Sequence, residues 1–183
     1  MKKTFFQKYG ILIIFLLLCL VLSFLSPVFL SIPNLINVVR QISINGILAI
    51  GMTLVILTGG IDLSVGSQVA LTGAIVAGLQ AHGQGAFLAV IVGLLLGAFL
   101  GCINGLIITK GGLPPFIVTL GMLTAARGLT LIYTGGRPIY DLSKAFNFIG
   151  AGYLGSIPIP VIILTLVLLV SHFVLKYTIF GRE

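Results

Sequence analysis

Six apolar runs, separated by short polar or glycine-rich breaks, constrain this chain more than any other feature; they fall at about 11–30, 37–58, 63–80, 86–109, 116–133 and 160–176. Several approach the roughly 20 residues a helix needs to span a bilayer. Long continuous runs argue against a β-barrel, whose strands alternate over segments of about 10 residues. They also argue against a soluble domain: 58% of the 183 residues are hydrophobic and 7% are charged, more apolar surface than such a chain can hide. The expected fold class is all-α, a polytopic membrane protein with about six membrane helices in a single transmembrane domain over 1–183. The short third run, 63–80, is either a full crossing or re-entrant.

The first run has the basic flank of a signal peptide, Lys2, Lys3 and Lys8. It is too long for a signal core and no small-x-small cleavage site closes it, so it reads as a retained helix, bent or ended by Pro27. Asn34 is a candidate cap for the second helix. Cys19 and Cys102 lie inside apolar runs, which suits small hydrophobes and not a disulfide or metal site.

The formal net charge is +7. The basic residues stand singly at the ends of apolar runs, a pattern of membrane orientation and not of nucleic-acid binding. Threading six spans from a cytoplasmic N-terminus places Lys2, Lys3, Lys8, Lys110, Lys176 and Arg182 inside, with Arg137 and Lys144 outside. The expected topology is N-in and C-in. A re-entrant third helix would move every later loop to the opposite side.

Enzyme chemistry finds no support. Asp62, Asp141 and Glu183 are the only acids, no His or Cys pair has metal-ligand spacing, and no lysine sits in a P-loop. No catalytic residue, metal or bound cofactor is expected.

Asp62, the only acid between Met1 and Tyr140, follows the Gly59-Gly60 break. It reads first as a cap on the third helix, accepting from the Ser64 or Val65 amides. A second reading makes it a lining residue where a helix breaks inside the membrane. Arg127 lies about 16 Å into the fifth run at 1.5 Å per residue. Intramembrane arginine is usually paired, so Asp62 or helix C-terminal carbonyls are its candidate partners; a polar pathway is the alternative. Asn45 and Asn104 fit interhelical bonds or a solvated path. Thr53, Thr119, Thr124 and Ser67 can all bond their own helices. Gly93, Gly97, Gly101 and Gly105, extended by Gly85 and Ala89, form a helix-packing row, and Gly66, Ala70, Ala74 and Gly78 form a second.

Three stretches carry a pattern: Asn45 through Thr58-Gly59-Gly60-Ile61-Asp62-Leu63-Ser64-Val65-Gly66-Ser67; Asn104-Gly105-Leu106-Ile107 with Pro115-Phe116-Ile117-Val118-Thr119-Leu120-Gly121-Met122; and Ala126-Arg127-Gly128 through Tyr133-Thr134-Gly135-Gly136-Arg137-Pro138-Ile139. Together they resemble the permease subunit of ribose-type sugar ABC importers, a family that includes xylose, galactoside and autoinducer-2 permeases. The resemblance implies a multi-pass permease of the bacterial inner (plasma) membrane. Its partners would be a second permease subunit, as a homodimer, a periplasmic sugar-binding protein, and a cytoplasmic ABC ATPase that uses the ATP. Asn45, Asp62, Asn104 and Arg127 are the expected polar interior, and Gly181-Arg182 resembles the start of the ATPase-coupling loop. Family members are longer, so the resemblance implies the N-terminal portion of a permease. The rival readings are a secondary transporter or channel, a structural membrane scaffold, and an inactive truncated fragment.

Overall fold

The computed structural model describes residues 2–181, and the side chains of 9–179. Its helices are α1 (Lys2–Leu25), α2 (Ile32–Leu57), α3 (Val65–Ala81), α4 (Ala86–Gly111), α5 (Pro115–Thr134), α6 (Lys144–Ala151) and α7 (Ile159–Tyr177). Helices stand at all six expected positions. Among the described residues, α2, α4, α5 and α7 are long and apolar enough to cross a membrane, while Tyr9–Leu25 and α3 are shorter apolar helices.

The chain divides within α2 into two compact units, one ending at Ile42 and one beginning at Ser43. In the first unit, α1 stops at Leu25 instead of reaching residue 30. Pro27 cannot donate the amide that another helical turn needs, and residues 26–31 turn through Phe29 N–H to Ser26 O and Ser31 N–H to Val28 O. Asn34 does not cap α2, which starts at Ile32. It lies in the first turn and ties it back through Asn34 Nδ2 to Phe29 O, 2.8 Å.

The second unit is built on α3, α4 and α5. Leu71, Leu100 and Ala126 form its buried apolar centre, with Ile75, Leu96 and Met122 packed around them. Residue pairings fix the directions. Val76 faces Gly93, Thr72 faces Gly97 and Ser64 reaches Asn104, so α3 and α4 are antiparallel. Ile61 meets Thr119 and Gly78 meets Tyr133, so α3 and α5 run in parallel. The two ends of α3 therefore lie near opposite ends of α5. Gly46 of α2 lies against Leu164 of α7.

Two exits share one geometry. Gly59 N–H bonds Ile56 O and Gly60 N–H bonds Val55 O, closing α2 with Gly59 at φ +78°. Gly83 N–H to Gln80 O and Gln84 N–H to Leu79 O do the same for α3, with Gly83 at φ +79°. Both are Schellman closures, where a left-handed residue satisfies the last carbonyls and glycine carries no Cβ penalty.

The polar stretch after α5 folds into α6 and a small antiparallel hairpin, β1 (Tyr153–Leu154) with β2 (Ile157–Pro158), the one departure from an all-α fold among the described residues. Ser143 caps α6, accepting from Phe146 N–H at 3.2 Å, while its hydroxyl donates to Gln80 Oε1 at 2.5 Å. Gln80 is 3% exposed and donates onward to Gln84 O. The loop is thus clasped to the far end of α3.

Candidate functional site: the break between α2 and α3

Residues 58–64 connect α2 to α3 without helix. Gly60 lies beside Pro115 at the start of α5, and Ile61 O receives the Thr119 hydroxyl at 3.2 Å. Thr119 is one turn into α5 and Asn104 is seven residues from the end of α4. At 1.5 Å per residue the centre of the break lies about 6–10 Å in from these helix ends. Irregular backbone at such depth needs protein or water around it.

Ser64 is the hub. Its side chain is fully buried. The hydroxyl donates to Asp62 Oδ1 at 2.5 Å and accepts from Gln68 Nε2 at 2.7 Å and Asn104 Nδ2 at 3.1 Å. One donor and two lone pairs are all in use. Asp62 Oδ1 also accepts from Ser64 N–H at 2.8 Å, an Asx turn two residues long. The N-cap position therefore belongs to Ser64, not Asp62. Asp62 acts one step earlier, by fixing the turn that leads into the cap.

The four residues expected to share a polar interior separate into two groups. Asp62 and Asn104 meet through Ser64. Asn45 is exposed on α2, 17 residues before Asp62, and makes no side-chain hydrogen bond among the described residues. Arg127 is exposed on α5, 12 residues beyond Pro115. Among the described residues no ion pair joins it to Asp62, and the reason is geometric. Asp62 sits at the level of Thr119, and Arg127 is eight residues further along α5, about 12 Å.

The glycine row of α4 also divides. A Cβ on Gly93 would come within 2.7 Å of Val76 Cγ2, and one on Gly97 within 4.0 Å of Thr72 Cγ2, so this half packs against α3. Ala89, which extends that half, is fully buried. Gly101 and Gly105 face nothing within 4 Å. They line a 340 Å³ cavity together with Thr58, Asp62, Asn104 and Thr119. The cause is helical pitch: a spacing of four advances about 40° per step, or about 120° from Gly93 to Gly105. The second row, Gly66 to Gly78, is not one interface either. Gly78 is close-packed, its Cβ position meeting the Tyr133 hydroxyl, while Gly66 has nothing within 4 Å.

Sequence reasoning missed Ser64, Gln68 and the Gln80–Ser143 clasp as connecting groups. A serine two residues after an aspartate at a helix start is a legible Asx signal; the 40-residue reach to Asn104 is not. Thr53, Thr124 and Ser67 do bond their own helices, to Ala49 O, Gly121 O and Ser64 O. Thr119 does so through Pro115 O, but it also reaches Ile61 O. Of the expected coupling-loop start, Gly181 closes a 3-10 turn after α7, and Arg182 lies outside the described residues.

The family described as "Branched-chain amino acid transport system / permease component" matches residues 34–183. The chain belongs to this permease family. Several of its relatives are sugar permeases by name. The ribose import permease protein RbsC of Bacillus subtilis is 49% identical over 179 residues, covering 97% of this chain and 56% of that protein. RbsC of Escherichia coli K12 is 42% identical over 184 residues, covering 98% and 57%. The E. coli K12 D-allose transport system permease protein AlsC is 38% identical over 182 residues, covering 98% and 56%. The chain thus spans about half the length of the curated relatives it matches. No solved structure matches. The permease is a multi-pass protein of the bacterial inner membrane, as its family and its membrane-capable helices together establish.

Proposed function

We propose that this chain is the permease portion of an ATP-driven importer for a monosaccharide-like, uncharged solute. The observation that carries the reading is similarity to ribose and allose permeases across 97–98% of the chain. A periplasmic binding protein delivers the solute, and a cytoplasmic ABC ATPase supplies the ATP-driven alternation of access. The chain itself binds no ATP. Asp62, Ser64 and Asn104 belong to the translocation path in this reading, with the α2–α3 break as its irregular wall. The parallel course of α3 and α5 supports a full crossing by α3 and six crossings in all, and the basic residues at the helix ends then favour the N-in, C-in orientation. A second permease copy in a homodimer covers the exposed face of α5. Arg127 supports that placement, because an arginine at mid-span calls for protein or water and not lipid.

The test is sugar uptake. Cells without ribose uptake of their own receive the complete permease gene with its ATPase and binding-protein genes. Radiolabelled ribose should accumulate, and accumulation should stop when the ATPase P-loop lysine is replaced. Uptake that continues with the ATPase disabled would contradict the reading and favour a secondary transporter or channel.

A further inference from the structure

The cavity beside the α2–α3 break has an unusual proton inventory. Five polar side chains line it: Thr58, Asp62, Asn104, Thr109 and Thr119. Every threonine hydroxyl there has already committed its proton to a carbonyl. Thr58 donates to Val55 O at 2.7 Å, Thr109 to Gly105 O at 2.7 Å, and Thr119 to Pro115 O at 2.8 Å. Asn104 gives one of its two amide protons to Ser64. The side-chain oxygens on the wall therefore offer acceptor lone pairs. One of them is conspicuous: Asn104 is 4% exposed, and its Oδ1 is buried with no hydrogen-bond partner. An unsatisfied buried acceptor costs about 1–3 kcal/mol, so this one calls for a donor from outside the chain. Exchanging the amide oxygen and nitrogen does not remove the orphan. Ser64 has given its only proton to Asp62, so an oxygen turned toward Ser64 would find no donor.

Helix N-termini ordinarily draw anions, and two of them open here. At α3 the Asp62 carboxylate already stands beside the N-cap, taking the Ser64 amide, so its charge opposes a second anion there. At α5 the opening residues Pro114 and Pro115 supply no N–H. Lys110, in the last turn of α4, is not on the cavity wall. The volume of 340 Å³ lies at the small end of the range for small-molecule sites, about 300–1,000 Å³.

We infer that this cavity is a hydroxyl-donor subsite: it holds a small uncharged polyol through Asn104 Oδ1 and the Asp62 carboxyl, and it rejects the phosphorylated form of the same sugar. The inference rests on the sugar-permease reading and adds the residues and the selectivity. Gly101 and Gly105 are glycines here because any side chain would occupy the space the solute uses.

The experiment follows the Asn104 side-chain amide by nitrogen-15 NMR in the full chain held in lipid nanodiscs, with the signal assigned by its loss in Asn104→Leu. D-ribose should shift it saturably. D-ribose 5-phosphate and ammonium chloride should not. Gly101→Leu and, independently, Gly105→Leu fill the cavity without touching Ser64, so each should abolish the response while the Asn104 signal persists. The proposal is overturned by no saturable shift with ribose, by an equal shift with the phosphate ester, by a response to ammonium alone, or by a response retained in both leucine variants. An importer that passes the uptake test above while its permease fails here would refute the subsite and leave the permease reading standing.

Discussion

The two halves of the α4 glycine row look the same in sequence and do different things. Gly93 and Gly97 lie against Val76 and Thr72 of α3, where the missing side chain lets two helices approach. Gly101 and Gly105 lie against open space beside a polar hub, where the missing side chain leaves a cavity. A repeat of small residues therefore marks closeness only as far as the neighbouring helix stays on the same face. With about 40° of drift per step, a row of four passes from one neighbour to the next.

The largest difference between the halves should appear when one large residue is placed in each. Gly93→Leu should lower stability in detergent micelles by about 3 kcal/mol, because the stiff, buried Val76 must yield. Gly101→Leu should leave unfolding almost unchanged. Equal losses in a thermal unfolding series would erase the distinction. Next in size is Ser64→Ala, which leaves the donors of Gln68 and Asn104 without their shared acceptor. A loss of about 2 kcal/mol is expected, along with faster amide exchange at the start of α3. Ser64→Ala at wild-type stability would mean that the hub does not hold the cavity half in place.

Smaller still is Ser143→Ala. It removes the α6 cap and the clasp to Gln80 at the opposite end of α3, far from the cavity. About 1 kcal/mol should be lost, with proteolysis of the 134–158 loop accelerated and Gln68 exchange unaffected. The smallest effect has the opposite sign. Gly101→Ala should stabilise by up to about 1 kcal/mol through helix propensity, whereas Gly93→Ala should destabilise despite the same gain.

Much of this was legible in the sequence, and what was not has a common physical cause. The six helices follow from apolar length, and the break follows from Gly59-Gly60, which supplies a left-handed residue where α2 closes. Local chemistry was readable too, since Asp62 and Ser64 are two residues apart. Contacts that join distant elements were not. Ser64 meets Asn104 only after α4 packs antiparallel to α3, and Gln80 meets Ser143 only after the loop following α5 folds back. The pairing of Asp62 with Arg127 was attractive because each was the conspicuous charge in its region, but sequence does not register the eight residues of height between them.

The most direct measurement is thiol labelling along α4 in lipid nanodiscs, with Cys19 and Cys102 first replaced by alanine. Gly97→Cys, Gly101→Cys and Gly105→Cys are each exposed to a membrane-impermeant, water-soluble maleimide. Labelling is expected at 101 and 105, where the cavity meets the helix, and protection at 97, where α3 covers it. Equal labelling at all three positions, or protection at all three, would contradict the division of the row and the cavity built on it.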